Sequence, residues 1–199
     1  GFDFEIRRPS LGESLPSNLN KYSAIVIFGG PMSANDDLNF IKYEIEWLKI
    51  VVESGKPFLG ICLGAQILVK HLGGKVGKNK EELAEVGFYK IFPTENGKNM
   101  FANQQIFYQW HNEGFNLPKD SILLATGDRF NNQAFKYNNC YALQFHPEVN
   151  FLLHLRWLFF VLLTNPKKLM LKGSQNIFYQ LYLRFMHNKS VSVWLDHFL

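Results

Sequence analysis

Cysteine is scarce in this chain: Cys62 and Cys140 are the only two among 199 residues. Two cysteines cannot build a disulfide framework, so the fold must rest on its hydrophobic core, and a reducing, cytoplasmic compartment is the expectation. Long apolar runs are missing too. The greasiest segment, Phe151–Leu163 (FLLHLRWLFFVLL), is interrupted by His154 and Arg156 and is too short to span a bilayer, so it predicts a buried helix and no membrane association. No secretory leader is expected, because Phe2–Arg8 alternates apolar and polar residues where a leader carries an apolar core. An excess of one charge is also lacking. The 21 basic and 17 acidic residues give a net charge of +4 without a dense Lys/Arg stripe, so no nucleic-acid partner is expected. Six scattered histidines supply no HxxxH pair and the cysteines no CxxC pair, so neither a metal nor another cofactor is expected. What the chain does have is apolar bulk. With 47% hydrophobic residues and 19 phenylalanines, it can bury one sizeable core as a single domain over residues 1–199.

The pattern of elements points to an α/β fold. Phe2–Arg8 alternates like a strand, and Ala24–Phe28 (AIVIF) is a continuous apolar run of the kind found in strands covered on both faces. Asp36–Ser54 carries Leu38, Ile41, Ile45, Leu48 and Val52 on one helical stripe, and Gly55 followed by Pro57 stops it. Phe58–Ile61 is a short strand and Leu63–Leu72 a helix. Strand, helix, strand, helix argues for a three-layer sandwich around a mainly parallel sheet. Further on, Gly87–Phe92, Ile122–Thr126, Gln133–Tyr137 and Tyr141–Phe145 are short strands, with Asn138-Asn139 as a tight hairpin turn. Helix is predicted again after Glu148 through Leu163, with a break at Asn165-Pro166 and a last helix over Gln175–Phe185.

Cys62 sits in GICLG, at the end of an apolar strand and the start of a helix, with glycines two residues before and two after it. One reading is a buried apolar filler in a βα unit. The other is a nucleophile elbow, in which flanking side chains must be absent for the turn to close. The turn places the thiol at a helix N-terminus, where free amides and the positive dipole end favour a thiolate and can receive an oxyanion. A second site bears on the choice. ALQFHPE ends a strand at His146, and Glu148 follows across a stiffening proline, so its carboxylate can fold back onto the imidazole. A thiol needs a base, and the base needs a group that holds its ring and tautomer. Cys140 has no flanking elbow glycines and reads as buried filler.

These stretches together, Gly29-Gly30-Pro31 after a strand, GICLGAQ and FHPE, resemble the class I, triad-type glutamine amidotransferases. Within that family the chain is similar to stand-alone proteins resembling the amidotransferase domain of GMP synthase, through FGGPMSANDD, PFLGICLGAQIL, QWHNEGFNLP, NQAFKY and ALQFHPEV in order. The resemblance implies the family's flavodoxin-like fold and its glutaminase chemistry, with glutamine as the substrate. Cys62 would attack the side-chain amide, the backbone amides of Gly30 and Leu63 would receive the oxyanion, His146 would move the proton, and Glu148 would orient His146. Gln66, Trp110, His111 and Asn112 would bind the substrate, His111 as pocket wall and not as base. Ammonia would pass to an acceptor or a synthetase partner chain, since no ATP-binding loop is present.

The family also opens with a buried strand and a helix that have no counterpart ahead of Phe2–Arg8. An N-terminal truncation, a partner chain or a homo-oligomer contact is therefore expected to cover the gap. Two alternatives remain open at this level. One is hydrolysis of a γ-glutamyl amide other than glutamine, and the other is a non-catalytic interaction domain of the same fold.

Overall fold

A computed structural model describes residues 3–101, 103–164 and 172. Their centre is a seven-stranded sheet made of β1 (Ile25–Ile27), β2 (Phe58–Ile61), β4 (Glu85–Pro93), β5 (Gln105–His111), β7 (Ile122–Thr126), β8 (Ala134–Tyr137) and β9 (Cys140–Leu143), in the order β1-β2-β9-β8-β7-β4-β5. A small antiparallel ribbon, β3 (Val76–Gly77) with β6 (Gly114–Phe115), lies apart from it. Parallel pairing joins β1 to β2 and β2 to β9, the strands whose ends carry the candidate site. The remaining ladders are antiparallel, including the β8–β9 hairpin closed by Asn138-Asn139, where Asn138 takes φ +51°.

Helices α1 (Asn39–Ser54) and α2 (Leu63–His71) cover one face of the sheet. Ile41, Leu48 and Val51 of α1 and Ile67 and Leu68 of α2 are sealed with Phe58 and Phe135 in one apolar layer. Each such side chain contributes about 2 kcal/mol through its burial. The opposite face is closed by Leu59, Ile61, Leu143 and Phe145 beneath Phe101 and Phe107, with the Phe107 and Phe145 rings stacked at 4.4 Å. A third cluster joins Phe88 and Tyr108 of the β4–β5 arm to Val149, Leu153 and Trp157, the last two from α3 (Phe151–Thr164).

The predicted helices and strands from Ala24 to Leu163 lie within a few residues of observed elements, whereas β3, β5 and β6 are not among the predicted strands, and the other departures have identifiable reasons. Asp3–Arg8 forms no strand, and Phe2 lies outside the described residues. Phe4 and Ile6 are exposed, and Glu5 instead pairs with Arg7 and with Lys21 at 2.8 Å. Alternation gives a segment two distinct faces, but a strand exists only where a ladder partner lies alongside. The same reason corrects β1. Its burial is one-sided, with Val26 41% and Phe28 59% exposed, because no helix lies over that face among the described residues. Helix α1 begins at Asn39 rather than Asp36, whose carboxylate is used in a turn with the Ser33 amide. It ends at Gly55 with φ +67°, where expected. Helix α3 is buried on one side only, through His154, Leu158 and Val161, while Leu152, Phe159 and Phe160 are exposed. No helix among the described residues is long and apolar enough to cross a membrane. The expected break at Asn165-Pro166 and helix over Gln175–Phe185 lie outside the described residues.

Candidate active site

The backbone at Cys62 takes a positive φ, with φ +51° and ψ −105°. A side chain rarely adopts such a conformation, and where one is held there the surrounding structure must enforce it. Here the Cys62 amide is tied to the Leu143 carbonyl at 2.7 Å, and α2 starts on the next residue. The flanking glycines make the bend feasible. A Cβ at Gly60 would lie 2.6 Å from the Gly64 carbonyl oxygen, and one at Gly64 would collide with the Ile27 carbonyl. Leu63 is the first residue of α2, so its N–H has no carbonyl of its own helix to reach.

Strand β9 brings the partner. His146 follows the strand by three residues and is 4% exposed. Its backbone amide is held by the Tyr108 carbonyl at 2.8 Å, and its ring stands edge-on against Trp157 of α3, with centroids 5.1 Å apart. The Nδ1–H donates to Glu148 Oε1 at 2.8 Å, which leaves Nε2 free to face the thiol. Burial by itself would drive the imidazole neutral. The charge and hydrogen bond of Cys62, followed by those of Glu148, overcome this and raise its pKa to about 10. Gly29, in the loop after β1, marks how close the pair lies: a Cβ there would stand 2.9 Å from His146 Cε1 and 3.8 Å from Cys62 Sγ. Gly30 is the next residue, packed against Leu63 and Met32. Cys140 faces the apolar layer under the helices, where burial pushes its thiol up to about 11. It is far from a reactive state.

The wall of the site comes from β5. The Trp110 carbonyl lies 3.9 Å from Cys62 Sγ, and Asn112 is exposed at the rim. Gln66, one turn beyond Cys62 and 4% exposed, donates Nε2–H to the Glu113 carbonyl at 3.0 Å and to Gln144 Oε1 at 3.2 Å. This leaves Gln66 Oε1 as its remaining polar atom. His111 differs from the expectation of a pocket-lining ring. Its Nδ1 is 2.9 Å from the Glu113 carbonyl, and its Nε2 is 3.0 Å from Gln109 Oε1 and 3.1 Å from Glu85 Oε2. The ring is turned into protein because Glu85 is its direct cross-strand partner in the β4–β5 ladder. Sequence reasoning missed Glu85, Gln109, Gln133 and Gln144, all buried. A carboxylate and several amides at inward positions of aromatic strands were the available signal. Among the described residues no group of His, Cys, Asp and Glu is arranged to hold a metal ion. A cavity of about 660 Å³ opens between residues 75–83 and 128–132, but Cys62, His146 and Glu148 do not line it.

Residues 2–162 match the family model described as glutamine amidotransferase class-I. Among curated proteins, the chain is 30% identical over 159 residues to the glutamine amidotransferase-like protein YfeJ of Salmonella typhimurium, covering 74% of this chain and 66% of that one. It is 33% identical over 139 residues to a subunit of the glutamine-hydrolysing GMP synthase of Ignicoccus hospitalis, covering 67% and 71% of the two. Among solved structures, a glutamine amidotransferase from Thermotoga maritima superposes with a TM-score of 0.87 at 30% identity, over 98% of this chain and 84% of that one. The chain thus spans about two thirds of the length of the Salmonella relative. A family match across 2–162 includes both the elbow at Cys62 and the His146–Glu148 pair, and the chain belongs to the class I glutamine amidotransferase family.

Proposed function

We propose that the chain hydrolyses the side-chain amide of glutamine through a Cys62 γ-glutamyl thioester and passes the ammonia to a synthetase partner chain or another acceptor. The observation that carries this reading is the left-handed backbone at Cys62, which aims a thiol at an imidazole held 2.8 Å from a carboxylate on its far side.

With the proton of the Cys62–His146 pair carried on His146 Nε2, the Cys62 thiolate adds to the amide carbon. The C=O electron pair moves to oxygen, where the N–H groups of Gly30 and Leu63 receive it. Collapse of this intermediate breaks the C–N bond, and the His146 Nε2–H protonates the leaving nitrogen as ammonia. Neutral His146 then takes a proton from water as its oxygen adds to the thioester carbon. The second collapse releases glutamate and returns the thiolate. Throughout, Glu148 keeps Nδ1 protonated and offsets the charge the ring acquires. Gln66 and the Trp110–Asn112 segment hold the amino-acid end of the substrate, His111 through its grip on the wall and not through direct contact. The name of the Ignicoccus relative, one subunit of a larger synthase, supports a separate amide-forming chain as partner.

The test is steady-state release of ammonia and glutamate from glutamine, with the chain alone and with cell extract added. Equal amounts of the two products, abolished by Cys62→Ala, are expected. No release under either condition overturns the proposal.

A further inference from the structure

The reaction sequence above leaves one buried polar side chain beside the nucleophile without a task. Gln144 is fully buried, two residues before His146 and on the same side of the chain, since Phe145 between them points into the aromatic layer. Its Nε2 lies 3.8 Å from Cys62 Sγ, and its Oε1 accepts from Gln66.

The direction of that amide follows from its neighbours. The Glu113 carbonyl can only accept, so Gln66 must turn its nitrogen toward it. The second hydrogen on that nitrogen then faces Gln144, which must answer with oxygen. Gln144 is left presenting its N–H group to the sulfur. The other end of the chain of contacts is equally constrained. Gln133 donates to Glu85 Oε2 at 2.9 Å, so its oxygen receives Gln109 Nε2, also at 2.9 Å, and Gln109 turns its own oxygen to His111. His111 Nδ1 lies 2.9 Å from the same Glu113 carbonyl that fixes Gln66. Every amide between Glu85 and Cys62 therefore has one satisfied orientation, and a buried network of this kind is rigid.

We propose that Gln144 is a further catalytic residue: its side-chain N–H donates to the Cys62 sulfur and stabilises the thiolate, with its orientation set by Gln66. The inference rests on Cys62 being the nucleophile of the proposed reaction. The hydrogen bond is strongest when the sulfur carries charge, before attack and again when the thiolate leaves the second intermediate. It weakens while sulfur is bonded to carbon. Gln144 thus favours formation of the thiolate and its departure, and it links the nucleophile to the residue placed to meet the substrate. The titratable groups around the sulfur are His146, with Glu148 behind it, and, along the network, Glu113, His111 and Glu85.

The pH profile of Cys62 alkylation by iodoacetamide, with the site located by peptide mass, tests this without glutamine. Gln144→Met keeps the shape and removes the donor, and the profile's midpoint is expected to rise by about one pH unit relative to wild type. Gln144→Glu keeps an acceptor for Gln66 but, once ionised, sets a negative charge against the thiolate, so its midpoint is expected to rise further. A purely structural role would lower the melting temperature of both variants and leave the midpoints in place. An unmoved midpoint in either variant that melts cooperatively overturns the proposal. Should Gln144→Met fail to fold, Gln144→Glu alone decides it. Ammonia release by wild type is scored separately: intact release with unmoved midpoints refutes the role of Gln144, whereas moved midpoints without release refute the glutaminase reading.

Discussion

Replacing Gly29 with alanine introduces a single methyl group into the narrowest part of the site. Its Cβ would stand 2.9 Å from His146 Cε1 and 3.3 Å from Cys62 Cβ, whereas ordinary contact begins at about 3.4 Å. Backbone conformation is not the obstacle, because Gly29 is outside the left-handed region. Something must therefore move by about half an ångström. The His146 ring has little room to retreat, since Glu148 holds Nδ1 at 2.8 Å, the Tyr108 carbonyl holds the backbone, and Trp157 stands against the ring. The Cys62 side has no slack either, with its amide tied to Leu143 and α2 beginning at the next residue. A misplacement of about 1 Å costs ~10²-fold in rate, so half of that predicts a loss of about tenfold or more in kcat, with a smaller change in KM. The assay is ammonia release at saturating glutamine, with thermal melting run alongside to confirm folding. Gly77→Ala serves as the control, because a Cβ there meets nothing within 4 Å, and it is expected to retain wild-type kcat. A folded Gly29→Ala protein with unchanged kcat would refute the proposed proximity of thiol and imidazole.

Cys62→Ala is expected to abolish turnover and labelling by a glutamine-like electrophile while leaving the melting temperature near wild type; labelling that maps to Cys140 would overturn the assignment. Glu148→Gln is expected to lower kcat by about 10²-fold or more with KM little changed, because His146 loses the group that fixes its tautomer. The pH profile adds a signed test of the same pair. The proton on His146 is held up to about pH 10, so kcat/KM should fall on the alkaline side in that region. Glu148 is one of the groups that raises this pKa, so in Glu148→Gln the alkaline limb should move to lower pH, and a stationary limb would count against the pairing. Gln66→Leu is expected to raise KM for glutamine more than it lowers kcat, and an unchanged KM would point to a different substrate tail.

The parts of this protein legible in its sequence are those encoded within a few residues. The elbow at Cys62 was readable because two glycines and a cysteine at fixed spacing leave the backbone few other options. The His146–Glu148 pair was readable because a proline between them shortens the reach of the carboxylate. The stop of α1 at Gly55 and the hairpin at Asn138-Asn139 belong to the same class, since positive φ is a local property. Long-range pairing was different. Strand β5 carries large side chains on both faces, Ile106 and Tyr108 alternating with Phe107 and His111, so its residues announce no single buried side. Only the β4–β5 register sets Glu85 opposite His111 and turns that ring away from the site. The open face of β1 is likewise a statement about neighbours, which the pattern AIVIF does not contain. Most of all, the amide network joining Glu85, Gln109, Gln133, Gln66 and Gln144 to Cys62 was invisible in one dimension. Its members come from β4, β5, α2 and the ends of β8 and β9, and a hydrogen-bond direction has no meaning until the packed sheet brings donor and acceptor within reach. Periodicity tells which face a residue occupies; the tertiary structure alone decides what that face meets.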